Sequence, residues 1–413
     1  MICLLLFFTY LIFSCENKKE ASPLNVISVA STVGYYNILN LSEYVTEIKY
    51  IPLETNNSVL VSEIRQIIYE NEKILILDLT SGLTQNCYLF DSNGKFFWKI
   101  GQRGQGPEEY ISLKNISIQE NFIFLIDQSK ILIYDANGYW VKNINLRANE
   151  IPAKYRQSSL FEILPLKKDT FVMNVATVSE YFPQAVLFET YQSYLRIIKE
   201  YPNCVKLDKL IPRLSTVDLG IMYRFQDDVR VYKAMNDTVF TIGQNMGMKA
   251  SFIFELGKYG PPLSFYEAKE KYLDGIKKYI IPSTIFESLN HLFIDFSFGS
   301  HAPEPVEGGI SFITGEQTVN THVLGIFNKF TGEFTLMKQP IKGKLGFKND
   351  IDNGPVIWPH YISSNNELVT YISVEEFMDY YDKIETPTLQ MTEIAQNGSM
   401  DDNQIVIFAK LKE

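Results

Sequence analysis

IIYENEKILILD (residues 67–78) and CYLFDSNGKFFWKI (87–100) are followed by a second copy of the same pattern, ISIQENFIFLID (116–127) and ILIYDANGYWVKNI (131–144). Each copy has apolar runs separated by short polar turns, as two successive β-hairpins do. Asp-x-Asn-Gly stands at the second turn of each copy, at Asp91 and again 44 residues later at Asp135. Asn-Gly between apolar runs predicts a type I′ turn, because both residues tolerate positive φ.

The repeat length and the composition together predict an all-β fold. A period in the forties with about four strands per unit is typical of the blades of a β-propeller. The chain has 413 residues, 46% of them hydrophobic and 14% aromatic, which is enough for a large core of half-buried strands. We therefore expect one six-bladed β-propeller with four-stranded blades and short helical insertions.

The N-terminal residues predict export and lipid anchoring. Residues 1–15 contain an apolar segment that is too short for a membrane span and end in Leu-Ile-Phe-Ser-Cys, which resembles a bacterial lipobox. Residues 1–15 are therefore interpreted as a lipoprotein signal peptide with Cys15 as the lipidated residue. Residues 16–24 form a tether, and residues 25–413 form the propeller. We expect a protein of the cell envelope, held to the inner or outer membrane by its lipid and facing the periplasm or the surface.

Charge and metal-ligand content exclude several function classes. The net charge of −10 argues against nucleic acid as a partner, because phosphates require a basic surface. Four cysteines and four histidines occur without a CxxC or Cys/His cluster, so we expect no zinc site and no cofactor. Calcium at Asp350 and Asp352 is a weaker alternative to an Asx turn at the same place. We expect a monomer.

The order of the predicted strands suggests how the ring closes. VTEIKYIPLET, residues 45–55, alternates like a strand and lies before the first repeat, so we expect it to complete the last blade beside the final strand IVIFAKLK. Blade five is predicted to use HLFIDFSFG, GGISFIT and HVLGIFNKFTGEFTLMK. Helical insertions are predicted near 264–289 and 374–396, the first from its 3.6-residue apolar period and the second from acidic residues in a first helical turn.

The motifs YIPLET, FDSNGK, KIGQRGQGPEEY, IYDANG, MNDTVFTI (235–242), NDIDNGPVIWP (349–359) and QIVIFAKLK (404–412) resemble a bacterial family of six-bladed β-propeller lipoproteins, similar to NHL-type propellers. The likeness covers nearly the whole mature chain and is strongest over residues 48–146. It implies the architecture and an exported location. It implies little about activity.

Propeller ligands usually meet the loops around the central channel, and this predicts which residues face a ligand. Arginine offers planar pairing to carboxylates or sulfates, and Trp and Tyr offer stacking platforms. For each residue taken alone, a structural role is favoured over ligand binding, as for Arg103 or Glu109 in a salt bridge and Trp358 in packing. The candidates on this face are Arg65, Arg103, Glu109, Tyr110, Arg224, Trp358 and His360.

Two functions are favoured at this point, and a purely structural envelope protein, whose channel is filled by side chains, is a third possibility. The first is non-catalytic recognition of an extracellular glycan, a peptide or an envelope partner. The second is an enzyme on the same scaffold, a polysaccharide lyase or hydrolase that uses Arg, Tyr or His at the channel mouth. A propeller supports both, so the fold does not decide between them.

Overall fold

A computed structural model describes residues 24–80, 84–146, 161–175, 183–203, 220–233, 235–266, 276–310 and 317–413. Within these ranges there are thirty β-strands, numbered in chain order. The first thirteen are β1 (Asn25–Ile27), β2 (Tyr36–Asn37), β3 (Val45–Pro52), β4 (Ile64–Glu70), β5 (Lys73–Thr80), β6 (Thr84–Asp91), β7 (Phe96–Lys99), β8 (Gln102–Arg103), β9 (Glu109–Tyr110), β10 (Leu113–Gln119), β11 (Phe122–Asp127), β12 (Lys130–Asp135) and β13 (Trp140–Asn145).

The remaining strands are β14 (Phe161–Lys167), β15 (Thr170–Val175), β16 (Pro183–Tyr191), β17 (Tyr194–Pro202), β18 (Gly220–Phe225), β19 (Asp228–Lys233), β20 (Thr238–Ile242), β21 (Met248–Phe254), β22 (Ile281–Glu287), β23 (His291–Ser297), β24 (Val306–Ile310), β25 (Gln317–Asn320), β26 (His322–Asn328), β27 (Phe334–Met337), β28 (Tyr361–Ile362), β29 (Glu367–Ile372) and β30 (Ile405–Leu411). The α-helices are α1 (Val29–Thr32), α2 (Leu263–Tyr266), α3 (Val374–Tyr381) and α4 (Leu389–Asn397).

The sheets form a propeller-like arrangement. Two have four strands, in the orders β4-β5-β6-β7 and β28-β29-β30-β3, and two have five, β1-β21-β20-β19-β18 and β2-β27-β26-β23-β22. An eight-stranded sheet, β10-β11-β12-β13-β17-β16-β15-β14, consists of two antiparallel runs of four joined by one parallel pair, Asn145 with Tyr194. The all-β class and the propeller arrangement are confirmed, whereas the count of six blades stays a prediction.

Strand β5 shows why apolar runs form these sheets. Side chains of successive strand residues point to opposite faces. Ile74 and Ile76 accordingly pack into the core cluster shared with β29 and β30, and Leu75 and Leu77 pack into the cluster shared with β10 and β11. Both faces are therefore buried, which explains a continuous apolar run in place of polar alternation. Each fully buried side chain of this size stabilises the fold by about 1.5–3 kcal/mol.

The turn type of the repeated Asp-x-Asn-Gly differs from the prediction. In the first copy only Gly94 has positive φ (80°), and the N–H of Gly94 donates to the carbonyl of Asp91 over 3.1 Å. The Asp91 carboxylate accepts from the N–H groups of Asn93 and Lys95, each over 2.9 Å. This is a three-residue hairpin loop with a left-handed glycine, and the type I′ prediction was wrong because that turn requires positive φ at Asn93 as well.

The chain ends meet in one sheet, as predicted. Strand β3 pairs antiparallel with β30 along its length, from Val45 opposite Leu411 to Pro52 opposite Ile405. Two pairings were not predicted: β1 joins β21 and β2 joins β27, both in parallel, so the segment before β3 covers the edges of two further sheets.

The insertion predicted near 264–289 is wrong in its second half. Helix α2 is a single turn, residues 267–275 lie outside the described ranges, and Ile281–Glu287 is strand β22 at one edge of a five-stranded sheet. GGISFIT does not supply a strand to this sheet in its described part, because β24 pairs with β25 in a separate two-stranded ribbon. Near 374–396 the structure has helices α3 and α4, capped by Ser373 and Thr388.

Buried aspartates at equivalent places hold the entry to two sheets. Asp78 ends the ILILD run, and its Oδ1 accepts from the N–H groups of Ser62 and Glu63. Asp127 ends FLID and accepts from the N–H groups of Ile111 and Ser112. A carboxylate that accepts two backbone hydrogen bonds fixes the chain just before strands β4 and β10, whose residues line the site described next.

Candidate functional site

Two cavities share part of their lining at the first strands of the sheets. One, of about 450 Å³, is lined by the beginnings of β4, β10, β14 and β18 and by part of β22, and its charged lining residues are Arg65, Lys114, Glu162, Arg224 and Glu287; we call it the basic chamber. The other, of about 500 Å³, is lined by the ends of β4, β10, β18 and β22, by β28 and by the turns that follow these strands. Its charged residues are Glu70, Glu120, Arg224, Asp227 and Glu287, and we call it the acidic chamber.

Glu287 does not add net negative charge to the basic chamber. Its carboxylate accepts from Nε and Nη2 of Arg230 over 2.8 and 2.9 Å and from Nζ of Lys329 over 3.0 Å. The hydroxyl of Tyr223 donates to the same carboxylate over 3.1 Å. Two cations thus surround one buried carboxylate, so the basic chamber has a positive balance within a protein of net charge −10.

Arg224 lies in the lining common to both chambers. Its Nε, Nη1 and Nη2 are all buried, and none has a hydrogen-bond partner among the described residues. Burial lowers the pKa of this guanidinium, while the charges of Asp227 and Glu70 act in the opposite direction. A guanidinium remains protonated in proteins, so Arg224 is a cation whose nitrogens lie buried behind the lining of the two chambers.

Glu70, the carboxylate on the acidic side, is already bound by other donors. The Tyr361 hydroxyl donates to it over 2.8 Å, and the backbone N–H and the hydroxyl of Ser364 donate to it as well, the former over 2.9 Å. Burial, with the charge of Glu70, raises the pKa of Tyr361 far above its ordinary value, so the tyrosine remains a neutral donor. This cluster forms part of the wall between the two chambers.

His360 lines the basic chamber as a neutral imidazole. Burial lowers its pKa below the ordinary value. Its Nδ1 lies 2.8 Å from the Oγ1 of Thr370, and its ring packs 4.6 Å from that of Tyr371. Arg65, by contrast, is exposed at the start of β4, on the mouth of the same chamber. Of the seven predicted ligand-face residues, the structure therefore brings Arg65, Arg224 and His360 together.

Three of the predicted residues, Arg103, Glu109 and Tyr110, lie outside both chambers, on the loop of residues 101–110 that we call the connector. The Glu109 carboxylate accepts from the Gly106 N–H over 2.7 Å and from Gln102 over 2.9 Å, and the Gly106 hydrogen bond lowers its pKa. The buried hydroxyl of Tyr110 donates to the carbonyl of Gln85 over 3.0 Å. Arg103 is exposed on β8, which pairs with β9. Glu109 thus holds the connector by hydrogen bonds to its own backbone and to Gln102.

Trp358 and the two predicted calcium ligands have contacts of a structural kind. The Trp358 ring packs 5.8 Å from Phe293 and 5.9 Å from Phe347. The Asp350 carboxylate accepts from the N–H and hydroxyl of Ser42, and that of Asp352 accepts from the Tyr50 hydroxyl over 2.9 Å. Within the described ranges there is no group of three or more His, Cys, Asp or Glu side chains placed to hold a metal ion.

The lipidation site Cys15 and the tether up to residue 23 lie outside the described ranges, as does Cys204. Cys87 is a buried free thiol on β6. None of the helices in the described part of the chain is both long and apolar enough to span a membrane.

Sequence reasoning missed several residues of the site, among them Lys114, Glu287 and Tyr361. Lys114 stands second in β10, as Arg65 does in β4, so the repeat itself contained a signal for this position. Glu287 fell inside a segment that we predicted to be helical. The contact between Tyr361 and Glu70 joins residues 291 positions apart, and no local pattern indicates it.

A family model described as "Domain of unknown function (DUF4934)" matches residues 24–410. Among solved structures, a protein from Bacteroides fragilis, provisionally described as exported, is similar over 94% of this chain and 100% of its own, with 21% identity and a TM-score of 0.64. At that identity the similarity shows a shared fold alone. No curated protein sequence matches the chain.

Two further solved structures align at lower similarity. A member of the DUF4221 family from Bacteroides vulgatus has 11% identity and a TM-score of 0.45, with 89% of this chain and 97% of that chain covered. A virginiamycin B lyase from Staphylococcus aureus has 11% identity and a TM-score of 0.37, with 71% and 75% covered.

Proposed function

The chain belongs to the DUF4934 family, and we propose that it is an exported, lipid-anchored propeller that recognises an extracellular ligand in its basic chamber without chemically changing it. The ligand is a glycan, a peptide or a segment of an envelope protein. One observation carries the proposal: Arg65, Lys114 and Arg224 face one cavity of about 450 Å³, a size typical of ligand sites.

We further propose that the ring has six blades. The support is a cycle of contacts among the first strands, in which β4 contacts β10, β10 contacts β14, β14 contacts β18, β18 contacts β22, β22 contacts β28 and β28 contacts β4. Side-chain amides reinforce two of these contacts, because Gln66 exchanges hydrogen bonds with the backbone of Ile116 and Asn115 donates to the carbonyl of Ile163. The eight-stranded sheet then counts as two blades.

Recognition is tested by measuring binding to a panel of neutral and acidic glycans and peptides, with wild-type protein and with Arg65→Ala and Arg103→Ala. The proposal expects saturable binding that Arg65→Ala weakens, because Arg65 lines the chamber, and that Arg103→Ala leaves intact, because Arg103 lies on the connector. Loss on Arg103→Ala alone would move recognition to the connector and contradict the proposal.

Catalysis by a polysaccharide lyase or hydrolase is a second candidate, favoured by His360. A neutral imidazole in the chamber is able to accept a proton at neutral pH. The same panel is therefore analysed for shortened or unsaturated products. Turnover that His360→Ala abolishes, while binding persists, would replace recognition by catalysis.

The lipid anchor is tested by expressing the full chain with Cys15→Ala and separating membrane and supernatant fractions. We expect wild-type protein in the membrane fraction and Cys15→Ala in the soluble fraction, because one diacylglyceryl group supplies the attachment. A Cys15→Ala protein that sediments with the membrane would rule out this anchor.

A further inference from the structure

The lining of the basic chamber contains two residues with buried polar atoms that have no hydrogen-bond partner among the described residues. Arg224 has three buried guanidinium nitrogens without a hydrogen-bond partner among the described residues, and the Oδ1 of Asn115, in the lining of the same basic chamber, is also buried and unpartnered there. Leaving such groups unpaired destabilises the folded protein, most of all where the group is charged. A ligand in the basic chamber satisfies these groups only if the Arg224 and Asn115 side chains turn toward it, because their unpaired atoms are buried.

The nearby carboxylates of the protein do not supply the partner of Arg224. Glu287 is bound by Arg230 and Lys329, and Glu70 by Tyr361 and Ser364. Asp227 and Asp228 act on Arg224 only through their charge, and neither makes a hydrogen bond to it. These acids do limit the local positive potential, so they favour a ligand group with a single negative charge over a dianion.

We infer that Arg224 is the receptor for a carboxylate of the ligand, and that the ligand is a uronic-acid-containing glycan whose hydroxyl donates to Asn115. This inference rests on the proposed recognition in the basic chamber. A guanidinium pairs with a planar carboxylate through two parallel hydrogen bonds, a geometry that lysine does not reproduce.

The lining of the chamber favours a sugar acid over a peptide C-terminus. Ser117 and Thr284 line the chamber with hydroxyls, and Asn115 adds its unpaired amide oxygen, which suits a ligand with several hydroxyl groups. The amide of Gln66 and the hydroxyl of Ser283 are already bound, by the backbone of Ile116 and of Asp295. The charges of the two chambers determine from which side the glycan enters. Arg65 and Lys114 attract an acidic glycan to the basic chamber, whereas Glu70 and Glu120 repel it from the acidic chamber.

The experiment is calorimetric titration with oligogalacturonate, using neutral oligogalactose, sulfate and a peptide with a free C-terminus as comparisons. Wild-type protein, Arg224→Met, Arg224→Lys and Arg196→Met are titrated in parallel. Arg196 is a matched control, because its exposed side chain pairs with Glu189 on β16, away from both chambers. We expect oligogalacturonate to bind wild type and Arg196→Met equally.

Arg224→Met is expected to weaken oligogalacturonate binding by roughly 10- to 100-fold, the range for a charged hydrogen-bond pair. Arg224→Lys is expected to restore only part of it, because the charge returns without the planar fork. Should Arg224→Met fail to fold, equal affinity of Arg224→Lys and wild type would contradict the inference.

Every other outcome of the titrations also decides whether the inference holds. Binding of sulfate or of the free peptide C-terminus in place of oligogalacturonate would overturn the ligand class. Equal binding of neutral oligogalactose, unaffected by Arg224→Met but weakened by Arg65→Ala, would overturn the role of Arg224 as carboxylate receptor. Recognition in the basic chamber would still hold.

The melting temperature gives a readout that does not depend on the ligand. Arg224→Met should not lower it, because the change removes an unpaired buried cation. A lower value would mean that Arg224 has a structural partner.

Discussion

Arg230 and Glu287 form a bidentate ion pair, 2.8 and 2.9 Å long, between β19 and β22. These strands belong to different five-stranded sheets. The Glu287 side chain is fully buried, and that of Arg230 is 10% exposed. Because Lys329 also binds Glu287, one carboxylate compensates two cations in the wall of the basic chamber. The net positive charge of the basic chamber and the packing of the two sheets against each other therefore both depend on the Arg230–Glu287 ion pair.

Glu287→Gln should destabilise the protein strongly. The change removes the only negative charge bound to Arg230 and Lys329 in the described structure and leaves two buried cations side by side. Breaking a buried pair by removing one partner costs about 3–5 kcal/mol. Chemical denaturation followed by circular dichroism measures the free energy of unfolding.

Glu189→Gln is the matched control for this change. Glu189 pairs with Arg196 at the surface, where that arginine side chain is 55% exposed. Exposed pairs contribute about 0–1 kcal/mol. Equal losses of stability in the two variants would contradict the importance assigned to the buried pair.

Gly94→Ala should destabilise the protein more than Gly332→Ala. Both glycines have positive φ, +80° and +72°, so both substitutions carry a backbone cost of roughly 1–2 kcal/mol. A Cβ on residue 94 would lie 2.2 Å from the carbonyl oxygen of Pro52 on β3, whereas no heavy atom lies within 4 Å at residue 332. Overpacking adds roughly 1–3 kcal/mol at Gly94 alone. The comparison tests how closely β3 packs on the first repeat, and a Gly94→Ala protein as stable as Gly332→Ala would show that β3 lies elsewhere.

The lowered pKa of His291 predicts that the folded protein loses stability in mild acid. Burial, with the charge of Lys329 as a smaller cause, lowers the pKa of His291 to about 4 in the folded protein, while the unfolded chain keeps a pKa near 6.5. The unfolded state therefore binds a proton first as the pH falls. The folded state loses stability between about pH 6.5 and pH 4, by on the order of 2–3 kcal/mol, and retains it fully above pH 6.5.

His291→Phe isolates this contribution, since the ring already packs against Tyr44 and Phe293. Unfolding free energies are measured for both proteins at several pH values from 7 to 4. We expect the difference between wild type and variant to change across that window in the direction given above. A constant difference would mean that His291 is protonated normally in the folded state.

The repeats could be predicted from sequence because their signals are local. The apolar runs around Ile74 and Ile123 indicate strands buried on both faces, and the Asp-x-Asn-Gly turns indicate hairpins. Strand β22 was missed since the segment before it has an apolar period close to 3.6 residues, and the sheet that pairs Ile281–Glu287 with β23 overrides that local pattern. The parallel edges added by β1 and β2 likewise depend on long-range pairing.

The site could be predicted only in part, for a related reason. Arg65, Arg224 and His360 were placed near the channel from their positions in the predicted strands. The lack of a partner for Arg224 depends on Glu70 and Glu287 being bound by other residues, and those contacts span 42 to 294 positions of sequence. The connector residues Arg103 and Glu109 have motif-like neighbours, yet their hydrogen bonds hold the loop itself.

The central claim is that the basic chamber binds a carboxylate at Arg224. A crystal structure of the protein grown with oligogalacturonate tests it most directly. The account predicts a sugar carboxylate in the basic chamber with oxygens about 2.7–2.9 Å from two guanidinium nitrogens of Arg224. Sugar bound at another surface, or an Arg224 side chain paired with Glu70 or Asp227 while the chamber holds no sugar, would contradict it.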